Sequence, residues 1–163
     1  MKRVNQIRKH PLYIKTAEAL AVQERDREFC GHLLTHCLDV ARIAYIWNLE
    51  EHLGYEKEWI YAAALLHDLG REMQNRTGLS HEQGSALLAE KILPDFGFDP
   101  EETRKIMDAI LAHRSKAKEE SRTEGSLGRL LYLADKKSRN CFDCPAEPGC
   151  NWDSQKKNRE IQI

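Results

Sequence analysis

The sequence predicts an all-α protein, a single-domain bundle of about six helices with a short, irregular, cysteine-rich tail. Apolar residues recur at helical spacing, no stretch alternates as a half-buried strand would, and proline and capping residues separate the helical segments. The length of 163 residues suits one compact domain. We place the helical domain at residues 1–140 and the tail at residues 141–163.

Three helices are predicted in the N-terminal part of the chain. The first begins at Pro11 and runs to about Phe29. The second carries a stripe of apolar positions at helical spacing, Leu33, Cys37, Val40, Ala41 and Ala44. The third begins near Glu58, and we expect Gly70 to end it because glycine is common just past a helix terminus.

Two further helices have recognisable start signals. Ser80 followed by Gln83 three residues later is typical of a capping box, which places His81 in the first turn of the fourth helix. Asp99 with proline next to it predicts the start of the fifth helix, which runs to about His113.

The sixth helix is predicted over about Leu127 to Ser138. The polar segment before it, Ser115 to Glu124, contains a single apolar residue and is expected to be an exposed connection that could act as a lid. The tail after the sixth helix is rich in Pro, Gly, Cys and Asn. These residues predict an irregular segment that something other than an apolar core must hold.

Charge and hydropathy exclude several classes of function. Lys plus Arg total 25 and Asp plus Glu 26, a net charge of −1, which argues against a non-specific nucleic-acid-binding protein. The longest apolar run, Trp59 to Leu66, has eight residues, whereas a membrane span needs about 20. The N-terminus lacks the apolar segment of a secretory signal. We therefore expect a cytoplasmic protein with no membrane partner.

Histidine and aspartate residues recur where helices are predicted to begin or end. His67 and Asp68 are adjacent near a helix terminus, and neighbours on a regular helix diverge by about 100°, so both reach one ion only where the helix ends. Such a pair by itself is also typical of a protein surface. Four more candidates change that interpretation, His36, His81, His113 and Asp135. Imidazole and carboxylate together suit zinc, iron, manganese and similar ions.

The order of these residues resembles the HD-domain superfamily of metal-dependent phosphohydrolases. The resemblance covers about Arg27 to Arg139. It rests on four runs of sequence, Thr35–Ala41, Ala62–Gly70, His81–Ser85 and Leu131–Lys136.

The resemblance implies a ligand set and a type of substrate. His36, His67, Asp68 and Asp135 match the four ligands found throughout the superfamily. His81 and His113 match the extra histidines of members that hold two metals, with Asp68 as the bridging carboxylate. The pattern is closest to the small bacterial branch that cleaves diadenosine tetraphosphate. The Gly-Tyr-Pro signature of cyclic di-guanylate phosphodiesterases is absent.

The expected activity is hydrolysis of a phosphate ester or anhydride of a small nucleotide by a metal-activated water. Two divalent ions are expected, and Fe, Mn, Zn, Mg and Ni all remain open. We assign catalytic roles to His67, Asp68, Arg114 and Lys116, the last two as phosphate contacts. A di-iron oxygenase and a non-catalytic nucleotide-binding or metal-binding module are the alternatives. The sequence also allows a homodimer.

The five cysteines are unevenly distributed, and three lie within ten residues of the tail. Cys141, Cys144 and Cys150 form a C-x2-C-x5-C pattern, and C-x2-C spacing lets two thiolates reach one ion. Cys30 is the best candidate for a fourth ligand, since Cys37 falls in an apolar stripe. The alternatives are a structural zinc site, unligated thiols, and an iron–sulfur cluster or redox pair.

Overall fold

The computed structural model describes residues 1–114 and 123–161, except for the side chain of Asn75. These residues contain no strand, and the all-α prediction is confirmed. They form eight α-helices: α1 (Lys2–Ile7), α2 (Pro11–Gln23), α3 (Leu34–Glu50), α4 (Lys57–Leu66), α5 (Arg71–Thr77), α6 (His81–Ile92), α7 (Pro100–Ala112) and α8 (Leu127–Lys137). Three 3-10 turns accompany them, Pro94–Phe96, Cys141–Asp143 and Glu147–Gly149.

Local side-chain contacts explain where two of the helices begin. The ring nitrogen Nδ1 of His10 accepts a hydrogen bond from the backbone N–H of Leu12, with proline in the first position of α2. At α7, Asp99 Oδ1 accepts from the backbone N–H of Glu102, and Glu102 returns the contact to the backbone N–H of Asp99. Helix α7 therefore begins at the predicted residue, and its first turn contains a complete capping box. Helix α2 ends at Gln23, earlier than the predicted Phe29.

Two short helices, α1 and α5, are absent from the sequence-based assignment. Each is shorter than two full turns, so neither shows enough periods for an apolar stripe to be recognised. Tertiary contacts stabilise α1: Arg3 Nε donates to Glu58 Oε2 at 2.6 Å, and its Nη1 donates to Glu102 Oε2 at 2.8 Å. Helix α5 lies beside α2 and α6.

Helix α4 is the centre of the core and carries the first part of the site. Its residues from Ala62 to Leu66 are all buried, and it contacts α1, α3, α6, α7 and α8. The run of alanines allows these neighbours to approach from several sides. The C-terminus of α4 is therefore surrounded by helices that can each contribute a side chain.

None of the helices in residues 1–114 and 123–161 combines the length and the apolar character needed to cross a membrane.

Candidate metal centre

The fold brings the six predicted ligand side chains together in two groups. In each group the ligand atoms all lie within 4.8 Å of one another. The first group contains His36, His67, Asp68 and Asp135, and the second contains Asp68, His81 and His113. The side chains come from α3, the end of α4, α6, the end of α7 and α8. They are separated by up to a hundred residues in sequence, so only the packing of the bundle unites them.

Asp68 belongs to both groups because its two oxygens face in different directions. Oδ2 lies 3.2 Å from His67 Nε2 and 3.6 Å from His36 Nε2. Oδ1 lies 3.5 Å from His81 Nε2 and 3.9 Å from His113 Nε2. One carboxylate oxygen is therefore available to each group, which is the arrangement that a bridging ligand requires.

Backbone carbonyls determine which nitrogen two of the histidines present to the centre. His67 Nδ1 lies 2.7 Å from Ala64 O, and His113 Nδ1 lies 2.5 Å from Ile110 O. A carbonyl oxygen only accepts, so Nδ1 of each ring carries the proton and donates it. In the neutral form that binds a metal, the lone pair of each ring is then on Nε2, which faces the centre. This orientation is typical of metal-ligating histidines, whose outer nitrogen donates to a carbonyl or carboxylate.

Gln74 on α5 holds His81, and this contact replaces the predicted capping box. Ser80 Oγ donates to Gln83 Oε1 at 2.9 Å and makes no capping hydrogen bond to the backbone of α6. Instead, Gln74 Oε1 accepts from the backbone N–H of His81 at 3.2 Å and lies 3.0 Å from His81 Nδ1. The predicted helix start is right and the predicted cap is wrong, because a residue from a neighbouring helix occupies that position.

The turn after α4 requires glycine for space and not as a helix stop. Gly70 has φ −65° and precedes α5, so the expected C-terminal stop is wrong. A Cβ at position 70 would lie 2.1 Å from His81 O and 2.3 Å from Ser85 N. Ser85 Oγ accepts from Gly70 N–H at 2.8 Å and donates to His67 O at 2.7 Å. This close approach places the His67-Asp68 turn directly against α6.

Within the described chain, two buried polar atoms of the centre lack a partner that a cation could supply. His67 Nε2 and Asp68 Oδ2 are buried and have no hydrogen-bond partner among the described residues. Burial disfavours the charged carboxylates, yet the neighbouring imidazoles hold the pKa of Asp68 and of Asp135 well below the usual range. Burial also opposes a charge on His67, but Asp68 and Asp135 raise its pKa to about 10. A divalent cation among these nitrogen and oxygen atoms would satisfy both orphaned groups.

The two histidines of the second group stay neutral. Burial lowers the pKa of His81 to about 3 and that of His113 to about 4. Their Nε2 atoms are 3.2 Å apart. Neutral imidazole is the form that binds a metal ion, so both rings are ready to act as ligands near neutral pH.

Basic side chains contact the ligand residues from the partly exposed side of the centre. Arg71 Nε donates to Asp68 Oδ1 at 2.8 Å, and Lys136 Nζ donates to Asp135 Oδ2 at 2.6 Å. Arg114 Nη1 lies 3.0 Å from His81 Nδ1. Lys116 and most of the predicted lid fall in residues 115–122, outside the described residues.

Three contacts around His36 were not predicted from the sequence. Ser138 Oγ lies 3.1 Å from His36 Nδ1, and Arg139 Nη2 donates to Asp135 Oδ1 at 3.0 Å. His32 is buried beside His36 at an edge-to-face ring distance of 5.9 Å, with its Nδ1 2.5 Å from Glu24 Oε1. Of these, only the four-residue spacing of His32 and His36 was visible in the sequence, and His32 lies before the start of α3 instead of on the same helix.

Three of the cysteines lie beside this centre, outside the two ligand groups. Cys30, Cys141 and Cys144 line one cavity of about 330 Å³, and His36 lines it as well. Cys150 follows one 3-10 turn later. In the described part of the chain no three cysteine sulfurs lie within 4.8 Å of one another.

Comparison with known proteins identifies the family. The family model of the HD domain matches residues 33–140, the segment that contains all six ligand candidates. The chain belongs to the HD-domain family.

Relatives of this HD domain span a range of sizes. An uncharacterized protein of Clostridium beijerinckii is 42% identical over 161 residues, which is 99% of each chain. Ribonuclease Y 1 of Pediococcus pentosaceus is 33% identical over 82 residues, covering 50% of this chain and 14% of that protein. A crystal structure of a predicted HD superfamily hydrolase from an uncultured Thermotogales bacterium has a TM-score of 0.63 at 22% identity. The match covers 90% of this chain and 79% of that one, and it supports the shared fold.

Proposed function

We propose that this HD domain is a metal-dependent phosphohydrolase that holds two divalent cations and cleaves a phosphate ester or anhydride of a small, nucleotide-like molecule. The proposal rests on Asp68, whose two oxygens face two separate sets of imidazole nitrogens. A single-ion site would not need a second group of neutral histidines directed at the other oxygen of the same carboxylate.

Such ions would supply Lewis acidity and would lower the pKa of water towards neutrality. The protein contributes orientation. His67 and His113 are held by carbonyls of their own helices, and His81 is held by Gln74, so their Nε2 atoms have little freedom to turn. Phosphoryl transfer depends on positioning and charge stabilisation, so no nucleophilic side chain is required.

Phosphate oxygens would be bound by the basic side chains at the rim. Arg71 and Lys136 are partly exposed, with 23% and 35% of their side-chain surfaces accessible, while their cationic ends contact Asp68 and Asp135. Cations bound between the carboxylates would compete for those oxygens and release both side chains towards a substrate. Arg114, next to His113, is suited to the same role through bidentate contact.

The donor set narrows the choice of metal. All six ligand residues offer imidazole nitrogen or carboxylate oxygen, a combination that suits iron, manganese, zinc and nickel. Magnesium prefers oxygen ligands and retains water, so it fits the histidine-rich second group least well. We therefore expect iron or manganese to support more activity than magnesium.

The test of this function is a substrate screen with defined metals. Chelator-treated protein would be reloaded separately with each divalent ion, without oxygen for iron. It would be incubated with diadenosine tetraphosphate, nucleoside triphosphates, nucleoside monophosphates and a generic phosphomonoester. Release of phosphate or nucleotide that depends on the metal supports the proposal.

Matched variants distinguish loss of a phosphate contact from a general loss of positive charge. Arg71→Ala and Lys136→Ala should mainly raise KM, because their side chains bind the phosphate. Arg129→Ala removes an exposed cation on the same helix as Lys136 and should leave the kinetics unchanged. If the fully metallated protein hydrolyses no member of the panel, the proposal fails. Oxygen uptake by the iron form with no hydrolysis would identify an oxygenase instead.

A further inference from the structure

The tail has no apolar core, yet it is docked on the bundle. From Cys141 to Ile161, Asn158 is the one buried residue among those described, and the side chain of Lys157 is largely buried as well. Its Nδ2 donates to Lys136 O at 2.8 Å and to Arg139 O at 2.9 Å. Lys157 Nζ donates to Glu147 Oε1 at 3.0 Å within the tail. Two hydrogen bonds anchor a segment of this length only weakly, because each contributes about 1 kcal/mol net to the free energy of unfolding.

A cavity between the tail and the main bundle collects the cysteines. Cys30 comes from the segment before α3, whereas Cys141 and Cys144 come from the turns after α8, and all three line the same cavity of about 330 Å³. All three are partly exposed, as is Cys150. Cys37 is different: it is buried in the core, and burial raises the pKa of its thiol. Three of the five cysteines thus lie at one junction, and Cys150 follows Cys144 in the same tail.

The sulfurs are not gathered as closely as a single zinc ion would require. Around one zinc ion, four thiolates at about 2.3 Å lie about 4 Å apart. No three sulfurs of the described chain lie within 4.8 Å of one another, although three of the cysteines share one cavity. In a cubane iron–sulfur cluster each thiolate binds a different iron, so the thiolates are farther apart than around one ion.

We propose that Cys30, Cys141 and Cys144 hold a [4Fe–4S] cluster in this cavity, with Cys150 as the fourth ligand. The proposal rests on one juxtaposition. Cys30, from the N-terminal part of the chain, shares the cavity with the C-x2-C pair of the tail. The cluster would join the tail to the segment that leads into α3. Because a bound metal contributes its binding free energy to folding, it would stabilise the docked tail.

Arg139 supplies an independent observation for this assignment. Its side chain lines the same cavity and is buried, with 7% of its surface accessible. Two of its nitrogens bond to Gly31 O and Asp135 Oδ1, while Nε has no hydrogen-bond partner among the described residues. A buried, unpartnered N–H costs about 1–3 kcal/mol. Cluster and thiolate sulfurs accept such hydrogen bonds, so a sulfur near Nε would give this N–H a partner.

The experiment is to purify the full chain without oxygen, or to reconstitute it with ferrous iron and sulfide, and to measure iron and acid-labile sulfide. We expect about four sulfides per chain and visible sulfide-to-iron charge-transfer absorption. Acid-labile sulfide is decisive because the ions proposed for the His/Asp centre bring none. The result is therefore independent of whether the chain is a hydrolase.

Variants assign the cluster to the cavity. Cys141→Ser and Cys144→Ser should lose the sulfide and the visible absorption, whereas Cys37→Ala, which removes a thiol outside the cavity, should retain both. If the serine variants fail to fold, the wild-type measurement still decides. Absence of acid-labile sulfide after reconstitution overturns the proposal, as does one zinc ion bound by these cysteines. Sulfide retained in the Cys141→Ser/Cys144→Ser double variant overturns it too.

Discussion

The His/Asp centre and the cysteine cavity are neighbours that share His36, but they are built differently. The His/Asp ligands are on packed helices, and the outer nitrogens of His67, His81 and His113 are already held by oxygen acceptors. Cys30, Cys141 and Cys144 lie on segments outside the α-helices, partly exposed and around one cavity. The comparison shows that packing can preorganise one site before a ligand arrives, while the proposed cluster site would use its ligand to join two separate segments.

The largest expected effect comes from Asp68→Asn, which removes the shared carboxylate. Loss of an outer partner of a ligand typically costs about 10–100-fold in affinity or activity, so loss of the shared ligand should cost more. We expect metal at the His/Asp centre and hydrolysis to fall to background, measured by elemental analysis and product release. Acid-labile sulfide should be unchanged. Loss of sulfide together with activity would show that the two sites are not independent.

Acid should lower the free energy of unfolding of the metal-free protein through the histidines of the His/Asp centre. Below pH about 6.5 the unfolded chain takes up protons that native His81 and His113 do not, because their folded pKa values are about 3 and about 4. From pH 7 to pH 5 each ring should reduce the free energy of unfolding by about 2 kcal/mol. His67 acts in the opposite direction: its raised pKa contributes stability below pH 6.5 that is lost as pH rises towards 10. Between pH 7 and pH 5, His67 changes the free energy of unfolding less than His81 or His113 does.

Urea unfolding of chelator-treated protein at pH 7 and pH 5 measures this difference. His113→Gln should remove about half of the decrease. An equal decrease in the variant would mean that other groups cause the acid sensitivity. Saturation with a divalent ion at pH 7 should raise the unfolding midpoint of the wild type, because the ion binds only the native state.

Gln74→Ala should weaken the second group of ligands selectively. The substitution removes the oxygen that holds both the backbone N–H and the ring of His81. We expect about 10–100-fold weaker binding of one of two ions, measured by metal titration, with the other little changed. Ser138→Ala is the matched variant for the first group, since Ser138 contacts His36. If both variants weaken both ions equally, the centre does not divide as the geometry indicates.

The smallest effect is expected from Asn158→Ala, which acts on the tail alone. It leaves the carbonyls of Lys136 and Arg139 without the amide that bonds them, a cost of about 1–3 kcal/mol. Limited proteolysis and hydrogen exchange should show faster opening of the tail, while metal affinity at the His/Asp centre changes little. Gln155→Ala, an exposed tail substitution, is the control. Tail opening that matches the control would show that Asn158 does not anchor the segment.

The sequence by itself determined the helical class, the start of α7 at Asp99 and the six candidate ligands. Periodicity and capping are local properties, and the histidines and aspartates stand at positions where helices begin, end or border the core. Tertiary structure alone decided which oxygen of Asp68 faces which histidines, that Gln74 replaces the expected cap of α6, and that Gly70 is needed for close packing. It also placed Cys30 in one cavity with Cys141 and Cys144, an approach that the sequence offered only as a hypothesis. These contacts join residues distant in sequence, and only the packing of the helices brings their atoms within bonding distance.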